Sequence, residues 1–192
     1  GAAVDGLSCT VCKSAEQLLS LFEAGRRHLV YAETKMNKSS SRSHAVLQIK
    51  VARRLRVLDA GGAGSYTTTM QTGKLTLVDL AGSERVKRSG AGESEARFRE
   101  AVNINTSLLG LSNVMKALSQ NASFVPYRDS RLTHMLSDAL GGNCRTTLIV
   151  CASPTAADAA ESVGTLEFGA RAMKVRTNAQ VNSETVELDA AA

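Results

Sequence analysis

The sequence has no tryptophan, two prolines, and aromatic residues at 4% of its 192 positions. Proteins that bind single-stranded nucleic acid stack bases on aromatic side chains, so this scarcity argues against a nucleic-acid partner. No apolar run approaches the roughly 18 residues that a membrane-spanning helix needs, so we expect no membrane span. The first residues lack the basic patch and apolar core of a signal peptide, which makes an intracellular location the expectation.

The four cysteines and three histidines show no metal-site pattern. Cys9 and Cys12 form a C-x-x-C pair, Cys144 and Cys151 are separated by six residues, and the histidines are not at zinc-ligand spacing. A redox C-x-x-C lies at the start of a helix, and a helical pattern does follow Cys12. We therefore predict ordinary thiols and keep a redox pair as the alternative.

Charge points to an acidic partner without identifying it. Lys and Arg number 23 against 18 Asp and Glu, a formal net charge of +5. A positive balance raises encounter rates with any polyanion, including acidic protein surfaces.

Helical periodicity recurs four times along the chain. Ser14 followed by Gln17 has the spacing of a capping box, and Gly25 predicts the end of that helix. Three further helices are predicted at residues 93–120, 130–140 and 157–175.

Strand patterns alternate with these helices. Residues 45–51 alternate apolar and polar, residues 74–80 form a short strand that ends in an acid, and residues 146–152 form an apolar strand. The glycine- and threonine-rich segment between the first two strands indicates a hairpin loop or flexible insert. Beyond Arg176 the composition becomes polar and then acidic, as in a linker or disordered terminus. Strands interspersed with helices predict α/β layering.

Asp79 and Gly82 form a D-x-x-G motif at the end of a predicted strand. A carboxylate in that position can hold water-bound Mg²⁺, and glycine lets a backbone amide approach a phosphate oxygen. The same pattern also fits an aspartate that caps an ordinary turn.

The polar loop at residues 37–44 places several hydroxyl groups and one guanidinium before a strand. Such a loop suits a lid that orders a water and opens when phosphate leaves, although a plain serine-rich surface loop has the same composition. Arg42 and Glu84 supply opposite charges in two separate loops. They could form a latch when both loops close.

Taken together, these segments resemble the kinesin motor domain, in the family's order. NKSSSRSH resembles switch I (37–44) and DLAGSE resembles switch II (79–84). NINTSLLGLSNVMKAL resembles the relay helix (about 101–120), and VPYRDSRLTHMLSDALGGN the microtubule-binding loop and helix (about 121–140). CRTTLIVCASP and TLEFGARAMKV resemble the last strand and last helix (about 157–175) of the motor core.

The resemblance implies an α/β fold, namely part of the kinesin-type P-loop NTPase fold with a central mixed β-sheet flanked by helices. Residues 1–176 would be a partial motor domain and residues 177–192 a neck-linker-like segment and tail. It also implies a cytoplasmic, microtubule-associated protein, and it allows a homodimer formed through regions outside this chain.

By resemblance, the implied cofactors are ATP or ADP and Mg²⁺. Ser41 would ligate Mg²⁺, Asp79 would hold it through water, and Asn37 would border the phosphates. Ser40 would help place the attacking water and Gly82 would donate its amide to the γ-phosphate. Arg42 and Glu84 would form the latch that closes the site for hydrolysis.

The resemblance places the track-binding face on basic residues after switch II and around the following helix: Lys87, Arg88, Arg128, Arg131 and His134. His134 stands where the family commonly has a more basic residue, and Val102 where conventional members have lysine. We therefore expect modest, salt-dependent microtubule affinity.

No G-x-x-x-x-G-K-[ST] phosphate-binding loop occurs in the sequence. Compared with the family, the first half of the domain is missing. These residues alone are then expected to be inactive and to aggregate or stay partly unfolded. The chain could be a segment of a longer protein, a half-domain completed by another polypeptide, or a degenerate motor kept as a scaffold. The sequence thus predicts an ATP-driven microtubule motor, with a non-hydrolysing microtubule-binding module as the alternative.

Overall fold

A computed structural model describes residue 4 and residues 6–27, 44–58, 66–83 and 95–186. It divides into two compact units, one formed by Gly1–His44 with Leu80–Asn178 and the other by Ala45–Asp79 with Ala179–Ala192. The helices are α1 (Ala15–Arg27), α2 (Glu95–Ser119), α3 (Arg131–Met135) and α4 (Ala159–Ala172). The strands are β1 (Ala45–Leu58), β2 (Tyr66–Asp79) and β3 (Asn182–Val186). No helix in these ranges is long and apolar enough to cross a membrane.

The second unit is a three-stranded antiparallel sheet in the order β1-β2-β3. β1 and β2 pair along their whole length, from Ala45 opposite Asp79 to Leu58 opposite Tyr66. The predicted hairpin is therefore confirmed, although residues 59–65 lie outside the described ranges. The prediction of a flexible threonine-rich insert was wrong for residues 66–73, which belong to β2. Threonine is β-branched and favours the extended backbone of a strand.

The C-terminal tail also differs from its prediction. Instead of a linker or disordered terminus, residues 182–186 form β3, which pairs with β2 from Asn182 opposite Thr72 to Val186 opposite Thr68. The Asn182 side-chain amide donates to the Thr72 carbonyl oxygen at 3.5 Å. The polar composition indicated disorder because amino-acid composition carries no information on whether the edge of another strand is available for hydrogen bonding.

Helix α1 begins as its capping signal predicts. Ser14 Oγ accepts a hydrogen bond from the Gln17 N–H at 3.3 Å, and Gln17 Oε1 accepts one from the Lys13 N–H at 2.8 Å. The helix continues through Gly25 to Arg27, so the predicted end was two residues early. Glycine ends a helix where its backbone turns left-handed, and Gly25 does not adopt a positive φ.

Helix α2 confirms the long helix predicted at residues 93–120 and supplies half of the buried apolar residues in the described part of the chain. Leu111, Val114 and Met115 are buried on one face. The helix ends at Ser119; Asn121, two residues later, adopts a left-handed φ of 50°, and the Ala122 N–H donates to the Ala117 carbonyl oxygen at 3.0 Å. This is a Schellman-type helix end with asparagine in the left-handed position.

Helix α3 is shorter than the helix predicted at residues 130–140. Ser130 caps its N-terminus by accepting the Thr133 N–H at 3.0 Å, as the helical pattern requires. The helix ends at Met135 because Leu136 leaves the helical region, with φ −93° and ψ 7°, and residues 136–142 continue as turns. Leu132 and Leu136 are buried where α3 packs on α2.

Residues 146–152 do not form the predicted strand. They have no regular secondary structure and are exposed, and Ile149 keeps 83% of its surface accessible. A strand needs a hydrogen-bonded neighbour, and within the described ranges no strand pairs with this segment. Helix α4 follows a 3₁₀ turn at Ala156–Asp158 and confirms the helix predicted at residues 157–175, three residues shorter at its end.

Candidate functional site

The D-x-x-G motif follows the end of β2. Asp79 is the last residue of the strand and its side chain is exposed. Gly82 is half-buried, and Ala81 before it is only 4% exposed. Asp79 belongs to the second unit and Gly82 to the first.

His44 connects three parts of the first unit. It is the last residue of the predicted switch I, and its Nδ1 accepts a hydrogen bond from the Ala81 N–H at 3.0 Å. Its Nε2 lies 2.6 Å from Ser107 Oγ in α2. One half-buried imidazole therefore joins the end of switch I to the switch II backbone and to the long helix.

These contacts fix the protonation state of His44. A backbone N–H can only donate, so Nδ1 must be without a proton, and Nε2 carries the hydrogen that is donated to Ser107 Oγ. Burial lowers the pKa of His44 below its usual range because the charged imidazolium loses hydration. The neutral form that the hydrogen bonds require is also the form that burial favours.

Several predicted site residues lie outside the described ranges: Asn37, Ser40, Ser41, Arg42, Glu84, Lys87 and Arg88. Their roles stay predictions. Of the predicted nucleotide-site residues, the structure describes Asp79 and Gly82.

Three predicted track-binding residues lie on or next to α3. Arg128 is in the 3₁₀ turn Tyr127–Asp129, and Arg131 and His134 are three residues apart in the helix. All three side chains are exposed. Side chains three apart in a helix share a face, so Arg131 and His134 point to the same side of α3.

A buried hydroxyl holds the 3₁₀ turn against α3. Thr133 has no exposed surface, and its Oγ1 donates to the Tyr127 carbonyl oxygen at 2.7 Å. Ser130 Oγ lies 2.8 Å from the same hydroxyl. The Tyr127 hydroxyl donates to the Leu140 carbonyl oxygen at 3.3 Å. This network sets the backbone from which Arg128 and Arg131 project.

Sequence reasoning missed His44, Ser107 and Thr133. His44 was counted within switch I but was given no role. The signal available for it was its position directly before β1, at the border between a functional loop and a rigid strand. Ser107 and Thr133 gave no comparable signal, because serine and threonine inside a helix are usually solvent-exposed or bonded to their own turn.

The described residues fit a phosphate-bound Mg²⁺ in part. Mg²⁺ prefers oxygen ligands and keeps several waters, which suits a single exposed carboxylate such as that of Asp79. No group of three or more His, Cys, Asp or Glu side chains within the described ranges could hold a metal by itself.

The comparisons with known proteins agree with the sequence resemblance. The model of the kinesin motor domain family matches residues 1–175. The chain is 42% identical to human kinesin heavy chain isoform 5A over 182 residues, which cover 94% of this chain and 17% of that protein. It is 42% identical to human kinesin-like protein KIF18B over 191 residues, 97% of this chain and 21% of that protein. The chain thus spans about a fifth of the curated relatives it matches.

Solved structures give the same result. A KIF14 dimer in a two-heads-bound state, with AMP-PNP and in complex with a microtubule, superposes with a TM-score of 0.83 at 38% identity. A fast kinesin superposes with a TM-score of 0.74 at 38% identity. They are matched over 94% and 95% of this chain and 49% of each neighbour. These matches confirm the predicted α/β fold of kinesin type, and the described ranges contain helices together with a three-stranded antiparallel sheet. The chain belongs to the kinesin motor domain family.

Proposed function

We propose that this chain is the switch and track-binding part of a microtubule motor that couples ATP hydrolysis to movement along microtubules. The observation that carries the proposal is the family match over residues 1–175, within which both switch sequences are complete. The neighbour solved with AMP-PNP on a microtubule supports the same nucleotide chemistry and track.

The nucleotide would be held as a Mg²⁺ complex, and when bound it supplies the phosphoryl group that is transferred to water. Asp79, exposed at the end of β2, would hold the metal through water, and Ser41 would ligate it directly. Gly82 would donate its backbone amide to the γ-phosphate, since a residue without Cβ allows close approach. Asn37 would border the phosphates and Ser40 would orient the attacking water.

Arg42 and Glu84 would form an ion pair that holds both switches closed. In phosphoryl transfer, the protein lowers the barrier mainly by positioning the reacting groups and by stabilising charge in the transition state. Loss of the pair should therefore lower the rate of hydrolysis more than the affinity for nucleotide.

The track-binding face would contain Arg128, Arg131 and His134, which are exposed on and beside α3, together with Lys87 and Arg88. An acidic track would attract the positive charges of this face. We expect a protein of the cytoplasmic microtubule cytoskeleton that can dimerise through regions outside this chain; that one structural neighbour is a dimer supports dimerisation itself.

Residues 177–192 would act as the start of a neck linker. The pairing of β3 with β2 supports this role, because it shows a sheet edge on which residues 182–186 can lie. The motor core would then extend over residues 1–176.

A non-hydrolysing microtubule-binding module is the second candidate. It is favoured by the composition of the basic face, where, by resemblance, His134 stands in place of a more basic residue and Val102 in place of lysine. A module of this kind would bind microtubules through the same basic face without turnover.

The decisive experiment measures the ATPase rate of the full-length protein that contains this chain, with and without microtubules, beside Glu84→Ala. We expect microtubules to stimulate the unsubstituted protein, and Glu84→Ala to reduce the stimulated rate about 100-fold or more, as for other losses of transition-state positioning. Glu167→Ala is the matched control, because Glu167 is an exposed glutamate on α4.

Glu167→Ala should keep the unsubstituted rate. Microtubule binding without any stimulated turnover in the unsubstituted protein would reject the motor and support the binding module. Equal losses in both variants would show that the effect does not come from the latch.

A further inference from the structure

We propose that His44 is a positioning residue that ties the end of switch I to the Ala81 amide and to helix α2, so that these three segments are held in one arrangement. The inference rests on the proposed function for its consequence in hydrolysis. The connection itself is a property of the described residues and can be tested separately.

The geometry uses both ring nitrogens. Nδ1 accepts from the Ala81 N–H at 3.0 Å, and Nε2 donates to Ser107 Oγ at 2.6 Å. Ala81 is 4% exposed, so its N–H has little access to water if the imidazole moves away. A buried donor that loses its acceptor carries a desolvation cost, which makes the contact with His44 strongly preferred.

The two ring nitrogens of His44 bond to different segments: Nδ1 to the switch II backbone and Nε2 to helix α2. The Ala81 amide is one residue before the amide of Gly82, so only the φ and ψ angles of Ala81 separate the amide that His44 holds from the amide proposed to face the γ-phosphate. Ser107 lies in α2 three, four and seven residues before Gly110, Leu111 and Val114, on the face of the helix that packs into the core. A shift of His44 would therefore be felt at the backbone of switch II and at the packed face of the long helix.

Two amide substitutions separate the two bonds. Asparagine places its oxygen near the position of Nδ1 and can still accept from Ala81, whereas glutamine places its amide nitrogen near Nε2 and can still donate to Ser107. His44→Phe keeps a ring and loses both bonds. Ser107→Ala removes the helix partner, and Ser119→Ala on the same helix is its control, because the Ser119 hydroxyl donates to the Lys116 carbonyl oxygen within its own turn.

The first readout is hydrogen exchange at the Ala81 amide in the full-length protein with ADP and Mg²⁺. We expect exchange about fivefold faster in His44→Gln and His44→Phe than in the unsubstituted protein or His44→Asn, since loss of one hydrogen bond opens the amide by about that factor. Equal exchange in all four proteins, or faster exchange in His44→Asn than in His44→Gln, would overturn the proposal. This readout is independent of ATP hydrolysis.

The second readout is microtubule-stimulated turnover. We expect His44→Phe to lower kcat about tenfold with little change in KM for ATP, because the imidazole positions groups without contacting nucleotide. Ser107→Ala should lower kcat less, Ser119→Ala should leave it unchanged, and the double variant His44→Phe with Ser107→Ala should be no worse than His44→Phe alone. Additive losses, or a change in KM alone, would reject the positioning role. An unsubstituted protein without stimulated turnover would instead reject the proposed function, and the exchange at Ala81 would still decide the connection.

Discussion

At the scale of single residues, a stability prediction can be made for Thr133, because its polar side chain is fully buried. Its Oγ1 donates to the Tyr127 carbonyl oxygen at 2.7 Å. Thr133→Val keeps the shape of the side chain and removes the donor. We expect it to lower the free energy of unfolding of the full-length protein by about 1–3 kcal/mol, measured by urea denaturation, because the carbonyl loses a buried partner.

Thr133→Ser is the matched variant. It keeps the hydroxyl and removes one methyl group, which should cost about 1 kcal/mol or less. A smaller loss in Thr133→Ser than in Thr133→Val would assign the effect to the hydrogen bond. The reverse order would assign it to packing of the methyl group.

The roles of single residues could be predicted where the functional groups follow one another closely in the sequence. They could not be predicted where a residue bonds to partners far away along the chain. Asp79 and Gly82 could be singled out because strand, acid and glycine follow one another in the sequence. The role of His44 could not, since Ala81 and Ser107 are 37 and 63 residues away. Hydrogen-bond partners at that separation become visible only once the chain has folded.

At the scale of elements, the contact between α2 and the start of α3 depends on a glycine. A Cβ on Gly110 would lie 3.2 Å from Ser130 Oγ and 3.3 Å from Ser130 Cβ. Ser130 cannot yield easily because its Oγ caps α3. We expect Gly110→Ala to lose stability, despite the roughly 1 kcal/mol by which alanine favours a helix over glycine.

Gly164 in α4 provides the comparison, since a Cβ there meets nothing within 4 Å. Gly164→Ala should raise the free energy of unfolding by about 0.5–1 kcal/mol. Thermal or urea unfolding of both variants tests the difference. A similar gain in both would mean that Ser130 shifts without cost and that the close approach of α2 and α3 is not a constraint.

The helices were predicted better than the strands for a physical reason. Periodicity and capping are local, so α1, α2 and α4 begin and end within a few residues of their predictions. Strands depend on which neighbour is available. Residues 146–152 have the right composition without a partner in the described ranges, whereas residues 182–186 have a polar composition and pair with β2. Likewise, α3 ends at Met135, an end that the helical pattern of residues 130–140 does not mark.

At the scale of the whole molecule, microtubule binding could depend on the net charge of +5 or on the local basic face around α3. The two alternatives predict different effects of removing arginines. Arg128 and Arg131 are exposed at the 3₁₀ turn and the start of α3. Arg53 and Arg54 are exposed in β1, in the other unit. Both pairs can be replaced by alanine, and each double variant lowers the formal charge by two.

If the face around α3 contacts the track, Arg128→Ala with Arg131→Ala should weaken microtubule binding by the full-length protein about tenfold at low salt, because short-range charge pairs are then lost. Binding measured by co-sedimentation between about 0.05 and 0.2 M salt should also depend less on salt in this variant, since fewer charge contacts remain to be screened. Arg53→Ala with Arg54→Ala should change affinity by less than about twofold, because a change in net charge without the loss of a direct charge pair is largely screened by salt. Equal losses in the two double variants would show that net charge, and not the face around α3, governs attachment to the microtubule.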